Sequence, residues 1–230
     1  MDTTATRWLV FVRCVRIPVG LLLLIAVACS GGEKVFPGAD EKTPSRTMYF
    51  DWINHAWERT SESARMANLD FFKWLHDEYG MKLDIYLLDA GTIDGWENYD
   101  SMDSDSFKKR FPNGLKPIYK KAKSFDCRIG MWLGPDGFGD TPEEEEARRD
   151  MPVKLCRDFD CALFKFDACC GNLRDGKLDA FTRTIEACRN FSPELIALNH
   201  RINLDEKAKQ HVTTWLWEGA ETYIDVHMPA

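Results

Sequence analysis

Apolar and polar positions alternate along this chain in two rhythms, and the switching between them predicts the fold. Short apolar runs bounded by Gly, Pro, Asp or Asn are separated by longer stretches with apolar residues at helical spacing. Met48 to Ile53 reads as a first strand carrying Asp51. Thr60 or Ser61 then caps a helix in which Met66, Leu69, Phe72 and Leu75 recur at three-residue steps, stopping at Gly80. Leu83 to Leu88 is a second strand ending on Asp89, followed by a long polar loop (Asp94, Trp96, Asp100, Asp103, Asp105) and a helix over about Leu115 to Ser124. Ile129 to Leu133 is the third strand. Thr141-Pro142-Glu143-Glu144 supplies an N-cap, a proline at the first helical position and an acidic first turn.

The fourth strand, Ala162 to Asp167, precedes a helix over about Lys177 to Asn190. Leu195 to Leu198 is a fifth strand, ending Asn199-His200-Arg201. A short helix near Asp205 to His211 leads to a sixth strand at Tyr223 to Val226. The strands are nearly continuous apolar runs, as expected where both sheet faces are buried, and their alternation with helices predicts a parallel α/β sheet. A closed (β/α)8 TIM barrel has eight strands and usually about 250 residues. Six βα units are countable here, so the expected architecture is such a barrel truncated after about six units. The alternative is a smaller barrel completed by a partner chain.

The first 28 residues read as export machinery. Arg7, Arg13 and Arg16 form a basic start, and Ile17 to Ala28 an apolar core too short to span a bilayer comfortably. The sequence Ala26-Val27-Ala28-Cys29-Ser30 looks like a bacterial lipobox with Cys29 as the acylated residue; an ordinary signal peptide or an anchor helix is the competing reading. The expected organisation is a lipoprotein signal peptide at 1–28, a flexible tether at 29–46 and a barrel domain at 47–230. Membrane contact is expected through the lipid anchor, and the location is the bacterial cell envelope. Residues 1–28 hold three Arg and one Asp, so their removal takes the formal net charge from −7 to −9. With that charge and no basic stripe, nucleic acid is not an expected partner.

Chemistry concentrates at the end of the fourth strand. Asp167 closes an apolar run, with Lys165 two residues earlier and so on the same face. In a parallel barrel, catalytic groups sit at the C-terminal strand ends. An Asp that merely caps the next loop is the bland alternative, and a lysine reaching solvent is the bland alternative for Lys165. The five His residues are scattered without metal-binding spacing, so neither a metal nor a cofactor is expected. Asp100 to Asp105 lacks the glycine and distal glutamate of a calcium loop. Six cysteines follow Cys29 (Cys127, Cys156, Cys161, Cys169, Cys170, Cys188), and their pairing cannot be read from spacing.

Three segments in order carry a resemblance: Arg110-Phe111-Pro112-Asn113-Gly114-Leu115-Lys116-Pro117, Arg128-Ile129-Gly130-Met131-Trp132-Leu133-Gly134-Pro135, and Phe164-Lys165-Phe166-Asp167. Together they resemble the retaining α-galactosidase clan, glycoside hydrolase families 27 and 36, from about Met48 onward. The resemblance implies metal-free retaining hydrolysis of a terminal α-linked sugar from an oligosaccharide or glycan. It assigns Asp167 as nucleophile, with Lys165 beside it keeping the carboxylate ionised. It puts the acid/base on strand six, where Asp225 is the best-placed candidate and Glu218 and Glu221 compete with it. Asp89 matches the first residue of the clan's acidic pair on strand two, but Ala90 stands where the second would be, which puts galactose specificity in doubt. Asp51, Trp96, Trp132, Asn199, His200 and Arg201 are further candidates for the sugar-binding mouth. For the last three, loop stabilisation is the equal alternative, and for Trp132 it is barrel core. A glycan-binding lipoprotein without turnover, or an inactive fragment, is the rival functional reading.

Overall fold

The computed structural model describes residues 46–54, 60–95 and 98–216. Within them six strands form one sheet: β1 (Met48–Phe50), β2 (Ile85–Leu88), β3 (Arg128–Leu133), β4 (Leu163–Asp167), β5 (Ile196–His200) and β6 (Thr214–Leu216). Their order across the sheet is their order in the chain, and every neighbouring pair is parallel. Parallel strands need long crossovers of one hand, so an order that never reverses places every crossover helix on the same face. The result is a partial (β/α) barrel with β1 and β6 as the edges of the described sheet.

Among the described residues six α-helices occupy the crossovers: α1 (Glu62–Tyr79), α2 (Asp105–Arg110), α3 (Lys116–Lys123), α4 (Pro142–Phe159), α5 (Leu178–Arg189) and α6 (Glu206–Lys209). Their ends follow from local chemistry. The Ser61 side chain accepts from the Ala64 N–H to start α1, and Gly80 ends it in the left-handed region at φ 66°. Thr141 and Glu144 form a reciprocal capping box at the start of α4.

The two faces of the sheet have different partners. Alternate strand residues Tyr86, Leu88, Ile129, Met131, Leu133, Phe164, Phe166 and Ala197 pack with Leu69, Ile118, Leu155, Phe181 and Ile185 of the helices. The residues between them, Ile85, Leu87, Trp132 and Leu163, form a second cluster flanked by Phe50, Trp52 and Ile196. This second face is the barrel interior. Gly130 belongs to it: a Cβ there would meet the Leu163 carbonyl at 3.1 Å and Ile85 Cγ2 at 3.3 Å, so neighbouring side chains close over the strand.

Three elements differ from the sequence reading. The first strand stops at Phe50, and Asp51–Asn54 turns into a 3-10 helix. The polar loop after β2 contains α2, which Ser104 caps by accepting from the Phe107 N–H; Phe107 and Phe111, one turn apart, stack at 5.0 Å. The strand that follows β5 is Thr214–Leu216, where a strand was expected at 223–226. Leu198, Asn199 and His200 find their partners there, ahead of the expected run, which lies outside the described residues.

Candidate active site

Asp167 is the last residue of β4, faces the barrel interior and is only 4% exposed. Its Oδ2 accepts from Trp132 Nε1 at 3.2 Å and lies 2.9 Å from His200 Nδ1; its Oδ1 accepts from the Cys169 N–H at 3.1 Å. Burial alone would raise this carboxyl. The hydrogen bonds from His200 and Cys169, the His200 charge and the Trp132 N–H outweigh burial and hold it well below the usual carboxylate range. An ionised carboxylate only accepts, so Nδ1 is the protonated nitrogen of His200 in this contact.

Lys165, two residues earlier on the same face, takes a different partner from the one expected. Its Nζ donates to Asp89 Oδ2 at 3.2 Å and lies 5.5 Å from the centre of the Phe50 ring. The side chain that partners Asp167 in this arrangement is therefore His200, while Lys165 neutralises the carboxylate at the end of β2. Asp89 also accepts from the Ala90 N–H at 2.8 Å, so both of its oxygens are engaged. Trp132 is 1% exposed and packs within the interior cluster while its N–H reaches Asp167. It thus serves both as core and as a donor to the site.

Of the other residues singled out by sequence, Asp51 is placed on the helix side of the sheet. Its carboxylate meets Arg65 Nη1 at 2.8 Å, and both side chains are fully buried. It also accepts from the Asp89 N–H at 2.8 Å and the Tyr86 hydroxyl at 3.3 Å. Burial pushes the Asp51 carboxyl up, and Arg65 draws it back. The carboxylate is spent on joining β1, α1 and the end of β2, and the interior mouth is formed without it.

Asn199 is equally internal in its bonding. It accepts from the Ile202 N–H at 2.8 Å and donates to the Ile202 carbonyl at 3.1 Å, which closes the turn after β5. Arg201 adopts a left-handed backbone at φ 66°, and its guanidinium reaches Cys169 Sγ at 3.8 Å. Trp96, Asp225, Glu218, Glu221 and Cys29 lie outside the described residues.

The residues that shape the loops around this mouth were the ones the sequence reading passed over. Asp94, fully buried, accepts from Arg148 through both oxygens at 3.0 and 2.6 Å and from the Gly134 N–H at 2.9 Å. Asp136 accepts from Arg174 at 2.8 and 3.0 Å. These pairs tie the loops after β2 and β3 to α4 and to the loop after β4. Gly134 lies where those loops meet: a Cβ would fall 2.4 Å from Tyr99 and 2.9 Å from Cys170. The available signal was Asp94 itself, an acid in a loop just after a strand end, but its partner lies 54 residues away in sequence.

All six described cysteines are free thiols. Burial and the neighbouring Asp167 carboxylate push Cys169 up to about 12, which keeps its thiol protonated near neutrality. Among the described residues no group of three or more acids, histidines and cysteines is gathered to hold a metal ion.

The chain matches no family model, and no curated protein matches it in sequence. Solved structures similar to it include α-galactosidases. That of Thermus thermophilus, in complex with stachyose, is 16% identical with a TM-score of 0.47, over 73% of this chain and 42% of the other. The family 36 α-galactosidase of Geobacillus stearothermophilus is 11% identical with a TM-score of 0.48, over 71% and 29%. The α-galactosidase of Saccharomyces cerevisiae is 15% identical with a TM-score of 0.45, over 67% and 34%. In each case the chain spans less than half the length of the protein it resembles.

Proposed function

We propose that this protein is a retaining glycoside hydrolase acting on terminal α-linked sugars, with Asp167 as its nucleophile. The observation that carries the reading is the placement of Asp167: a buried carboxylate at the C-terminal end of a barrel strand, kept ionised by three hydrogen-bond donors. Retaining hydrolysis needs such a group and a second carboxyl about 5–5.5 Å away. Asp167 attacks the anomeric carbon from the face opposite the leaving group and forms a covalent glycosyl-enzyme. The second carboxyl protonates the departing oxygen and then deprotonates the water that releases the sugar. The sequence offers Asp225, Glu221 and Glu218 for that part; β6 ends at Leu216, two residues before Glu218 in the chain, so the strand that favoured Asp225 no longer singles it out. The Lys165–Asp89 pair, lying on the same interior face, provides a charged donor and an acceptor for sugar hydroxyls.

A mechanism-based fluoroglycosyl fluoride, which forms the intermediate faster than it is hydrolysed, tests this directly. The full-length protein is expected to become labelled on Asp167, located by peptide mass spectrometry. A label on Glu218, or turnover with no label, overturns the assignment.

One observation favours a second reading, a surface protein that binds glycans without cleaving them. Ala90 leaves the end of β2 with a single acid, Asp89, already paired to Lys165. Saturable binding of an α-galactoside without labelling or turnover would decide for it.

The cellular setting is proposed from the N-terminal sequence: export, with Cys29 lipidated and the domain held at the bacterial envelope. Expressed in a host with lipoprotein processing, the protein is expected in the membrane fraction. Cys29→Ser should move it to the soluble fraction. Wild-type protein that is already soluble rules the anchor out.

A further inference from the structure

The inference that follows rests on Asp167 being the nucleophile. A carboxylate rotates about its Cβ–Cγ bond, and only some rotations aim a lone pair at an anomeric carbon. Positioning such a group is a large part of catalysis. Here the rotation is fixed by donors on both oxygens: Trp132 and His200 on Oδ2, and the Cys169 N–H on Oδ1.

The His200 contact is built into the sheet itself. The β4–β5 register sets Asp167 directly opposite His200, so the two side chains emerge on one face about 4.8 Å apart, the spacing of neighbouring strands. Both are buried, at 4% and 2% exposure. Residues just beyond each of them close the arrangement: Arg201 folds back in a left-handed turn to reach Cys169 Sγ, and the N–H of Cys169, two residues past Asp167, binds the Asp167 carboxylate. Lys165, two residues from Asp167 on the same strand, is engaged by Asp89.

We propose that His200, and not Lys165, is the positioning residue of the nucleophile, donating from Nδ1 to fix the Asp167 carboxylate in its attacking orientation and to keep it ionised. Among the described residues, the titratable groups around the pair are Lys165 and Cys169 on β4 and the turn after it, Asp89 at the end of β2, and Arg201 beside His200. Two cations and one acid surround the dyad besides the thiol, with Lys165 held by Asp89. Removing the His200 donor therefore raises the Asp167 carboxyl, and the sign is fixed: the acid limb of kcat/KM moves to higher pH.

Three variants of the full chain separate positioning from mere packing. His200→Asn keeps an N–H donor near the place of Nδ1, His200→Gln moves it one carbon further, and His200→Leu removes it. With an aryl α-galactoside as probe, His200→Leu is expected to lose about tenfold more kcat/KM at the acid limb than near neutrality, with the change in kcat more than in KM. His200→Asn, which keeps the donor without the imidazole charge, should move the pH profile less than His200→Leu does. A carbon-13 NMR titration of the Asp167 carboxyl, which needs no turnover, should show its midpoint raised by about one pH unit in His200→Leu. If the wild type cleaves no glycoside, the functional reading fails while the titration still tests the pair. If His200→Leu does not fold, the comparison of Asn with Gln decides, Asn holding the lower midpoint of the two. A folded His200→Leu protein with an unmoved midpoint, or Asn and Gln variants that titrate alike, overturns the proposal.

Discussion

Replacing Asp167 with Asn is expected to lower turnover by about 10⁴-fold or more, because an amide keeps the shape of the carboxylate and cannot attack. The structure adds a second expectation. Asp167 accepts three hydrogen bonds, two at Oδ2 and one at Oδ1, and an amide can offer an oxygen to only one of those sides. If the amide oxygen faces Trp132 and His200, its NH₂ faces the Cys169 N–H, donor against donor. A loss of roughly 1–3 kcal/mol of stability is therefore expected beside the loss of activity. Asp167→Gly separates the two effects by leaving space where the nucleophile stood. An external anion then takes its place: added azide should restore cleavage of an activated aryl α-glycoside and give the β-glycosyl azide. The product's configuration is the readout, since azide entering where Asp167 stood attacks from the β face. An α-glycosyl azide, or activity in Asp167→Asn within tenfold of wild type, would falsify the nucleophile assignment.

The order of βα units and the position of Asp167 were legible because both depend on short-range pattern. An apolar run, a helix cap such as Ser61 or Thr141, and an acid at a strand end are each read within a few residues. What the sequence concealed depends on register and on the sense in which side chains point. Asp51 and Asp89 both follow strand ends, yet β1 ends early and turns Asp51 toward α1 while Asp89 faces Lys165. Lys165 and Asp167 share a face, which correctly puts both in the interior, but no pattern says that the lysine binds across to β2 and leaves Asp167 to His200 on β5. Asn199 and His200, adjacent in sequence, divide in the same way: one closes a turn and the other meets Asp167. Helix α2 was missed for a different reason. At six residues, with charges on most of its surface, it shows its apolar spacing only through Phe107 and the following Phe111.

The largest loss of stability is expected at Asp51. The Asp51–Arg65 pair is fully buried, and the guanidinium has little else to hold it: Nη2 donates to Thr92 Oγ1 at 3.4 Å, and Nε has no hydrogen-bond partner among the described residues. Asp51→Ala leaves that charge in an apolar setting and also strips the Asp89 N–H and the Tyr86 hydroxyl of an acceptor. Breaking a buried pair from one side costs about 3–5 kcal/mol, a large share of the roughly 5–15 kcal/mol by which a domain is stable. For a domain of this size that corresponds to a fall in Tm of roughly 6–20 °C. Removing both charges together, as Asp51→Leu with Arg65→Met, should cost much less, because no unpaired ion remains. Thermal and urea unfolding of the two single variants and the double variant measure the coupling. The pair bears on the site as well as on the fold, since the same carboxylate that holds Arg65 also anchors the backbone of Asp89, whose side chain holds Lys165. Asp51→Ala protein examined well below its melting point should therefore bind an α-galactoside more weakly, while Asp167 remains open to labelling. A melting temperature within a degree or two of wild type would show that water or a rearranged α1 relieves the stranded Arg65, and the pair would then not be what fixes α1 against β1 and β2.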